Sequence, residues 1–152
     1  MSINSGPGSA SARIIQPLDR PKAMKIAGFD IQALITGNDA QSYEVCMISG
    51  NMGKGPPPHS HPWDETYLVL RGFVVIGIGK EEDSYGVGAI VHIPGGQRHW
   101  FRFDQEGEVL DLTSDKHAVN LYKSLSALPA DAAKIDYAEA ALRNGQVSRP
   151  EN

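Results

Sequence analysis

Cysteine is almost absent. Cys46 stands alone in 152 residues, which excludes an internal disulfide framework. Stability must therefore come from a packed core, which a chain of this length can bury without cross-links. The lone thiol lies in an apolar strand pattern and reads as a small core residue rather than a nucleophile. Long apolar runs are also missing, and none approaches the ~18–20 residues of a membrane-spanning helix. The first residues, Met1–Ala12, are rich in Ser, Gly and Ala and lack the apolar segment of a secretory signal. With the single cysteine, this points to a reducing cytoplasm. A strong charge of one sign is lacking too: 14 basic residues stand against 18 acidic ones, a formal net of −4. That balance, with no basic stripe and no helix-turn-helix ahead of the β-rich region, argues against nucleic acid or an anionic membrane as the main partner. No repeat of 20–50 residues is visible, which excludes a solenoid.

Glycine and proline are plentiful, at 16 and 10 residues. With Asn and Asp they punctuate a series of short β patterns: Ile14–Pro17, Lys22–Ala27, Asp30–Thr36, Tyr43–Ser49, Thr66–Arg71, Phe73–Gly79, Ala89–Ile93, His99–Phe103 and Val109–Thr113. Short strands at this spacing predict an all-β sandwich or barrel. Arg71-Gly72 reads as a tight hairpin and Lys80–Gly86 as a charged turn. Beyond Ser114 the period changes: Ala118, Leu121, Tyr122, Leu125 and Leu128 share one helical face. Pro129 interrupts that run, and a second helix is expected from Asp131 to Arg143, stopped by Asn144-Gly145. The expected organisation is a flexible tail over 1–12, one β-barrel over 13–114, a C-terminal helical extension over 115–146 and a loose end over 147–152.

Chemistry concentrates in four residues. His59 and His61 stand at i and i+2, which puts both side chains on one face only if the segment is extended. Pro56-Pro57-Pro58 and Pro62 force that conformation, because a helix cannot form through them. Glu65 follows four residues after His61, and His99 follows Pro94-Gly95-Gly96. Three imidazoles and one carboxylate make a donor set for a divalent transition metal, Fe, Mn, Ni, Co, Cu or Zn, and donor type alone does not choose among them. Strand parity groups Glu65 with Tyr67 and Val69, and His99 with Phe101 and Phe103. Together with Met47 these form the expected apolar, partly aromatic substrate pocket. Trp63 reads as a packing residue, Asp64 as pointing away from Glu65, Arg98 as surface charge, and His92 and His117 as lying outside the site.

At these residues the sequence resembles the cupin superfamily. The first cupin motif, G-x5-H-x-H-x3-E-x6-G, runs from Gly53 through His59, His61 and Glu65 to Gly72 without a spacing error. The second, G-x5-P-x-G-x2-H-x3-N, runs from Gly88 through Pro94, Gly96 and His99, with Phe103 in place of the final asparagine. The 15 residues between Gly72 and Gly88 resemble the spacer of small single-domain cupins. The resemblance implies a double-stranded β-helix, or jelly-roll, barrel and one metal ion on His59, His61, Glu65 and His99. It also implies a homodimer formed through the N-terminal strands of Ile14–Thr36. Gly55–His59 and Tyr67–Gly72 are further similar to the quercetin-dioxygenase-like subset. The expected function is a metal-dependent dioxygenase acting with O₂ on a small enolic or aromatic molecule, Glu65 serving as ligand and base. Non-redox isomerase, cyclase or lyase chemistry and a non-enzymatic ligand-binding role are the alternatives.

Overall fold

Short amphipathic strands bury their apolar faces by stacking one sheet on another. The computed structural model of this chain describes residues 12–40, 42–114 and 118–127, and there the strands do so. In chain order they are β1 (Met24–Ile26), β2 (Phe29–Ile35), β3 (Glu44–Gly50), β4 (Glu65–Arg71), β5 (Val74–Ile78), β6 (Glu81–Tyr85), β7 (Ile90–Ile93), β8 (His99–Phe103) and β9 (Gly107–Thr113). One helix, α1 (Ala118–Ser126), follows. A six-stranded sheet is ordered β1-β2-β3-β9-β4-β7, and a three-stranded sheet β6-β5-β8. All pairings are antiparallel. This is the all-β jelly-roll arrangement that the motifs imply.

The segment between β3 and β4 extends the small sheet. Phe103 N donates to Lys54 O at 2.8 Å, Phe101 N to Pro56 O at 3.3 Å, and His59 and His99 exchange backbone bonds of 3.0 and 2.9 Å. The proline run thus behaves as an interrupted edge strand alongside β8, since prolines can lie only where no ladder N–H is needed.

Register organises the interior into rungs. Glu44, Thr113 and Glu65 are opposite one another across β3, β9 and β4. Cys46, Asp111 and Tyr67 form the next rung, and Ile48, Val109 and Val69 the third. Residues paired across strands point to the same face, so one face grades from acidic to apolar along its length. Phe29, Ile31, Ile76, Phe101 and Phe103 complete a core with these apolar residues. Helix α1 packs Ala118, Leu121, Tyr122 and Leu125, spaced i, i+3, i+4 and i+7, into that core. Its start is held by Glu44, whose carboxylate accepts from Val119 N at 3.1 Å and from Gly37 N at 3.0 Å. A carboxylate at a helix N-terminus satisfies an orphan donor and opposes the helix dipole.

Several expectations need correction. Ile14–Pro17 is not a strand; a single 3₁₀ turn occupies Pro17–Asp19. Arg71-Gly72 is not a hairpin, because β4 pairs with β7 and β9 while β5 pairs with β6 and β8. Gly72, at φ 78°, instead carries the chain from one sheet to the other. The supposed charged turn over Lys80–Gly86 contains β6, paired through its backbone with β5 although most of its side chains are exposed. Helix α1 ends at Ser126; Leu128, His117 and the second helix expected over 131–143 lie outside the described residues. No helix among the described residues is long and apolar enough to cross a membrane.

Candidate metal centre

The four expected ligands come from three separate pieces of chain. His59 and His61 lie on the extended segment beside β8, Glu65 opens β4, and His99 opens β8. Their exposures are 5%, 3%, 2% and 1%, so the group is buried within the barrel. One ligand atom from each lies within 4.8 Å of all the others. The imidazole rings are 4.3 Å (His59–His99), 4.8 Å (His61–His99) and 5.3 Å (His59–His61) apart between centroids.

Backbone carbonyls fix the tautomers. Nδ1 of His59 lies 2.7 Å from Pro57 O, Nδ1 of His61 2.9 Å from Trp63 O, and Nδ1 of His99 2.8 Å from Gln97 O. A carbonyl only accepts, so each Nδ1 carries the hydrogen and donates it. In the neutral ring Nε2 is then bare. Yet Nε2 of His61 and of His99 stand 2.8 and 2.7 Å from the same oxygen, Glu65 Oε2. Bare nitrogens facing a carboxylate oxygen set lone pair against lone pair. A positive species shared among them, a proton or a metal cation, makes the arrangement favourable. The donor set therefore fits a divalent cation, and the carbonyls supply the outer hydrogen bonds that metal-binding imidazoles require.

Electrostatics follow from burial and these contacts. Burial, reinforced by the neighbouring His99 and His61, holds the His59 imidazole well below its ordinary value. For Glu65 burial acts upward, but hydrogen bonds from His61 and His99 outweigh it and hold the carboxyl well down. For His99 burial acts downward and the bond to Glu65 outweighs it, leaving the ring raised. Asp111, one rung away, is pushed well above the carboxylate range by burial and then by the charge of Glu65. Burial likewise pushes the Cys46 thiol far up, which suits an inert core residue.

Residues 50–113 match the cupin domain family model. The chain carries a cupin domain. Solved structures with the same fold include KdgF from a Halomonas species (TM-score 0.64, 14% identity, covering 72% of this chain and 99% of that one). An RmlC-like cupin from Shewanella frigidimarina (TM-score 0.63, 14% identity, 74% and 99%) is similar to the same extent. Streptomyces PAC13 with uridine follows at TM-score 0.57 and 17% identity, covering 68% and 83%. No curated protein sequence matches.

In this cupin a small cavity of about 10 Å³ adjoins two of the four ligands, His59 and Glu65, and is lined further by Phe29, Ile48, Pro56, Tyr67 and Tyr122. Of the expected pocket residues only Tyr67 lines it. Val69, Phe101 and Phe103 are packed in the core, Phe101 edge-on to Tyr67 at 5.1 Å. Met47 is a correction. It is opposite Leu110, itself opposite Leu68, on the other face of the large sheet from Cys46 and Ile48. Trp63 is a packing residue that also stacks on His61 at 4.5 Å, fixing that ring. His92 bonds Thr66 Oγ1 on the exposed face, away from the ligands. Asp64 points away from the centre but staples it: Oδ1 accepts from Gly95 N at 2.8 Å, tying the loop before His99 to the segment before Glu65. Asp111, Thr113, Tyr122 and Glu44 were not singled out from sequence, although the alternation Val109, Asp111, Thr113 places a carboxylate on an inward position and carries that signal.

Proposed function

We propose that this cupin holds one divalent transition-metal ion through His59, His61, Glu65 and His99 and is a dioxygenase for a small enolic or aromatic molecule. The observation that carries the metal reading is the pair of imidazole nitrogens, stripped of hydrogen by backbone carbonyls, that converge on one oxygen of Glu65. His59, His61, Glu65 and His99 would hold the ion, which when bound would supply Lewis acidity and redox chemistry to a substrate beside it. The residues do the rest. Glu65 lines the cavity and is placed to take a proton from an enolisable substrate. Phe29, Ile48 and Tyr67 give the cavity apolar walls, and α1 closes it from water through Tyr122. The resemblance of Gly55–His59 and Tyr67–Gly72 to quercetin-dioxygenase-like cupins bears on architecture more than on substrate. The superfamily resemblance supports a homodimer through Ile14–Thr36, which a monomeric mass in light scattering would remove, and the single cysteine supports a cytoplasmic location.

The test is metal content by mass spectrometry on tag-free protein purified without chelator, beside a His59→Ala/His99→Ala variant, followed by oxygen-electrode assays with enolisable substrates. Near-stoichiometric metal lost in the variant, with oxygen uptake, is expected. Metal without uptake for any loaded ion sinks the oxygenase. One observation favours a second reading: a second buried carboxyl, Asp111, stands beside Glu65, as suits acid–base isomerase, cyclase or lyase chemistry. Turnover under strict anaerobiosis selects it.

A further inference from the structure

Strand β5 carries Gly77 in its interior, where glycine weakens a strand and marks a close approach. Gly77 is opposite Trp100 of β8 and Glu82 of β6. A Cβ there would collide with the Trp100 indole at Nε1 and Cε2, so the glycine lets that ring lie across the sheet. Trp100 and Arg102 alternate along β8 with the buried His99, Phe101 and Phe103, which puts both on the outer face of the small sheet. The Arg102 guanidinium lies over the Trp100 ring, 4.9 Å from its centre. Arg13, Arg20, Lys25 and Arg71 pair with carboxylates, whereas Arg102 has no acidic partner among the described residues. Beside this stacked pair is a groove of about 310 Å³, walled by Pro56, Pro57 and Pro58 and by Trp100 and Arg102. Gly55 lets the proline run lie against β8, since a Cβ there would collide with Phe101 O. Small-molecule sites begin at about 300 Å³.

We propose that this groove is a second binding site, on the outside of the barrel, for a small planar aromatic carboxylate. The site does not depend on the metal reading. Proline rings and the indole give an aromatic ligand flat apolar walls. The guanidinium of Arg102 offers N–H donors that match both oxygens of a carboxylate. Its contact with Trp100 already restricts the arginine side chain, so less freedom is lost when the anion binds. Charge selects a monoanion. Arg102 is a single cation, and Glu82 stands on the same face across β5 from Trp100, which disfavours a phosphate dianion. The proline run selects against an extended peptide, because Pro56, Pro57 and Pro58 have no N–H for an added strand to bond.

The experiment titrates isotope-labelled full-length protein with naphthoate and with naphthylmethanol, its neutral counterpart, once with zinc and once with chelator. The readout is the indole N–H signal of Trp100 by NMR. The chain has two tryptophans, Trp63 and Trp100, and Trp100→Phe identifies which signal is which. Naphthoate is expected to shift the Trp100 signal to saturation and to bind at least about fivefold more tightly than naphthylmethanol, with zinc and with chelator alike. Arg102→Gln is expected to bind the two equally. Absence of a saturable shift at Trp100 overturns the site. Equal binding of acid and alcohol by wild type overturns the ligand class, as does a preference kept in Arg102→Gln. Naphthoate binding to zinc-loaded protein alone puts the carboxylate at the metal centre and overturns the groove. Should Arg102→Gln not fold, the wild-type comparison decides alone.

Discussion

The fold shifts His59 and His99 in opposite directions from their ordinary values, and the metal-free protein should show it. Burial holds His59 below its unfolded value, so the unfolded chain takes up a proton that the folded one refuses. Its contribution is present above about pH 6.5 and is lost as pH falls. His99 is raised because the bond to Glu65 outweighs burial. Its contribution is full below about pH 6.5 and is lost as pH rises through the folded value. Melting of chelated protein between about pH 5 and about pH 8 should therefore fall off on both sides. His59→Gln should flatten the acid limb and His99→Gln the other; identical profiles for all three proteins would contradict the assignment. These ligands were legible because the His-x-His spacing, the prolines and the position of Glu65 act locally. Met47 was misplaced because the parity of β3 relative to β4 is set by register through β9, which no local pattern reveals. Asp111 was passed over for a related reason: it comes beside Glu65 only once β9 lies between β3 and β4.

Elements that meet through side chains carry the next predictions. Glu44 links the β2–β3 turn to the start of α1, accepting from Gly37 N and Val119 N. Glu44→Ala leaves one buried donor, Val119 N, and one half-buried donor, Gly37 N, without an acceptor. The expected cost is about 3 kcal/mol in chemical denaturation, with faster amide exchange at Gly37 and Val119. A loss under about 0.5 kcal/mol would show that the cap does not hold the helix. Gly95 makes a different contact: a Cβ there would collide with the carbonyl of Pro62. Both partners are backbone, so Gly95→Ala must shift the loop before His99. Lower metal occupancy than wild type is expected, measured by mass spectrometry; occupancy equal to wild type would show that the loop yields without moving His99. Element type was readable where apolar alternation was strong, as in β3, β4 and β8. It failed at β6, whose Glu-Glu-Asp-Ser-Tyr sequence pairs through backbone alone. It failed again at Gly72, where a glycine between two apolar runs fits a sheet-to-sheet crossing as well as a hairpin.

For the whole molecule the metal would be a cross-sheet staple. Glu65 belongs to the large sheet, His99 to the small one, and His59 and His61 to the segment alongside β8. The two sheets otherwise meet through apolar packing, which is non-directional. A ligand that binds the folded state alone stabilises it by about 2.7 kcal/mol at a free concentration 100 times its dissociation constant. For a chain of this size about 1 kcal/mol moves the melting midpoint by ~2–4 °C, so loading should raise it by ~5–11 °C and a chelator should reverse the gain. His99→Ala should melt at the same temperature with and without metal. The backbone bonds between His59 and His99 do not depend on either imidazole, so the variant should still fold and unfold in one transition. A loaded variant that gains as much as wild type would place the ion elsewhere. A metal-free wild type that unfolds in two steps would mean that the apolar interface alone does not couple the sheets.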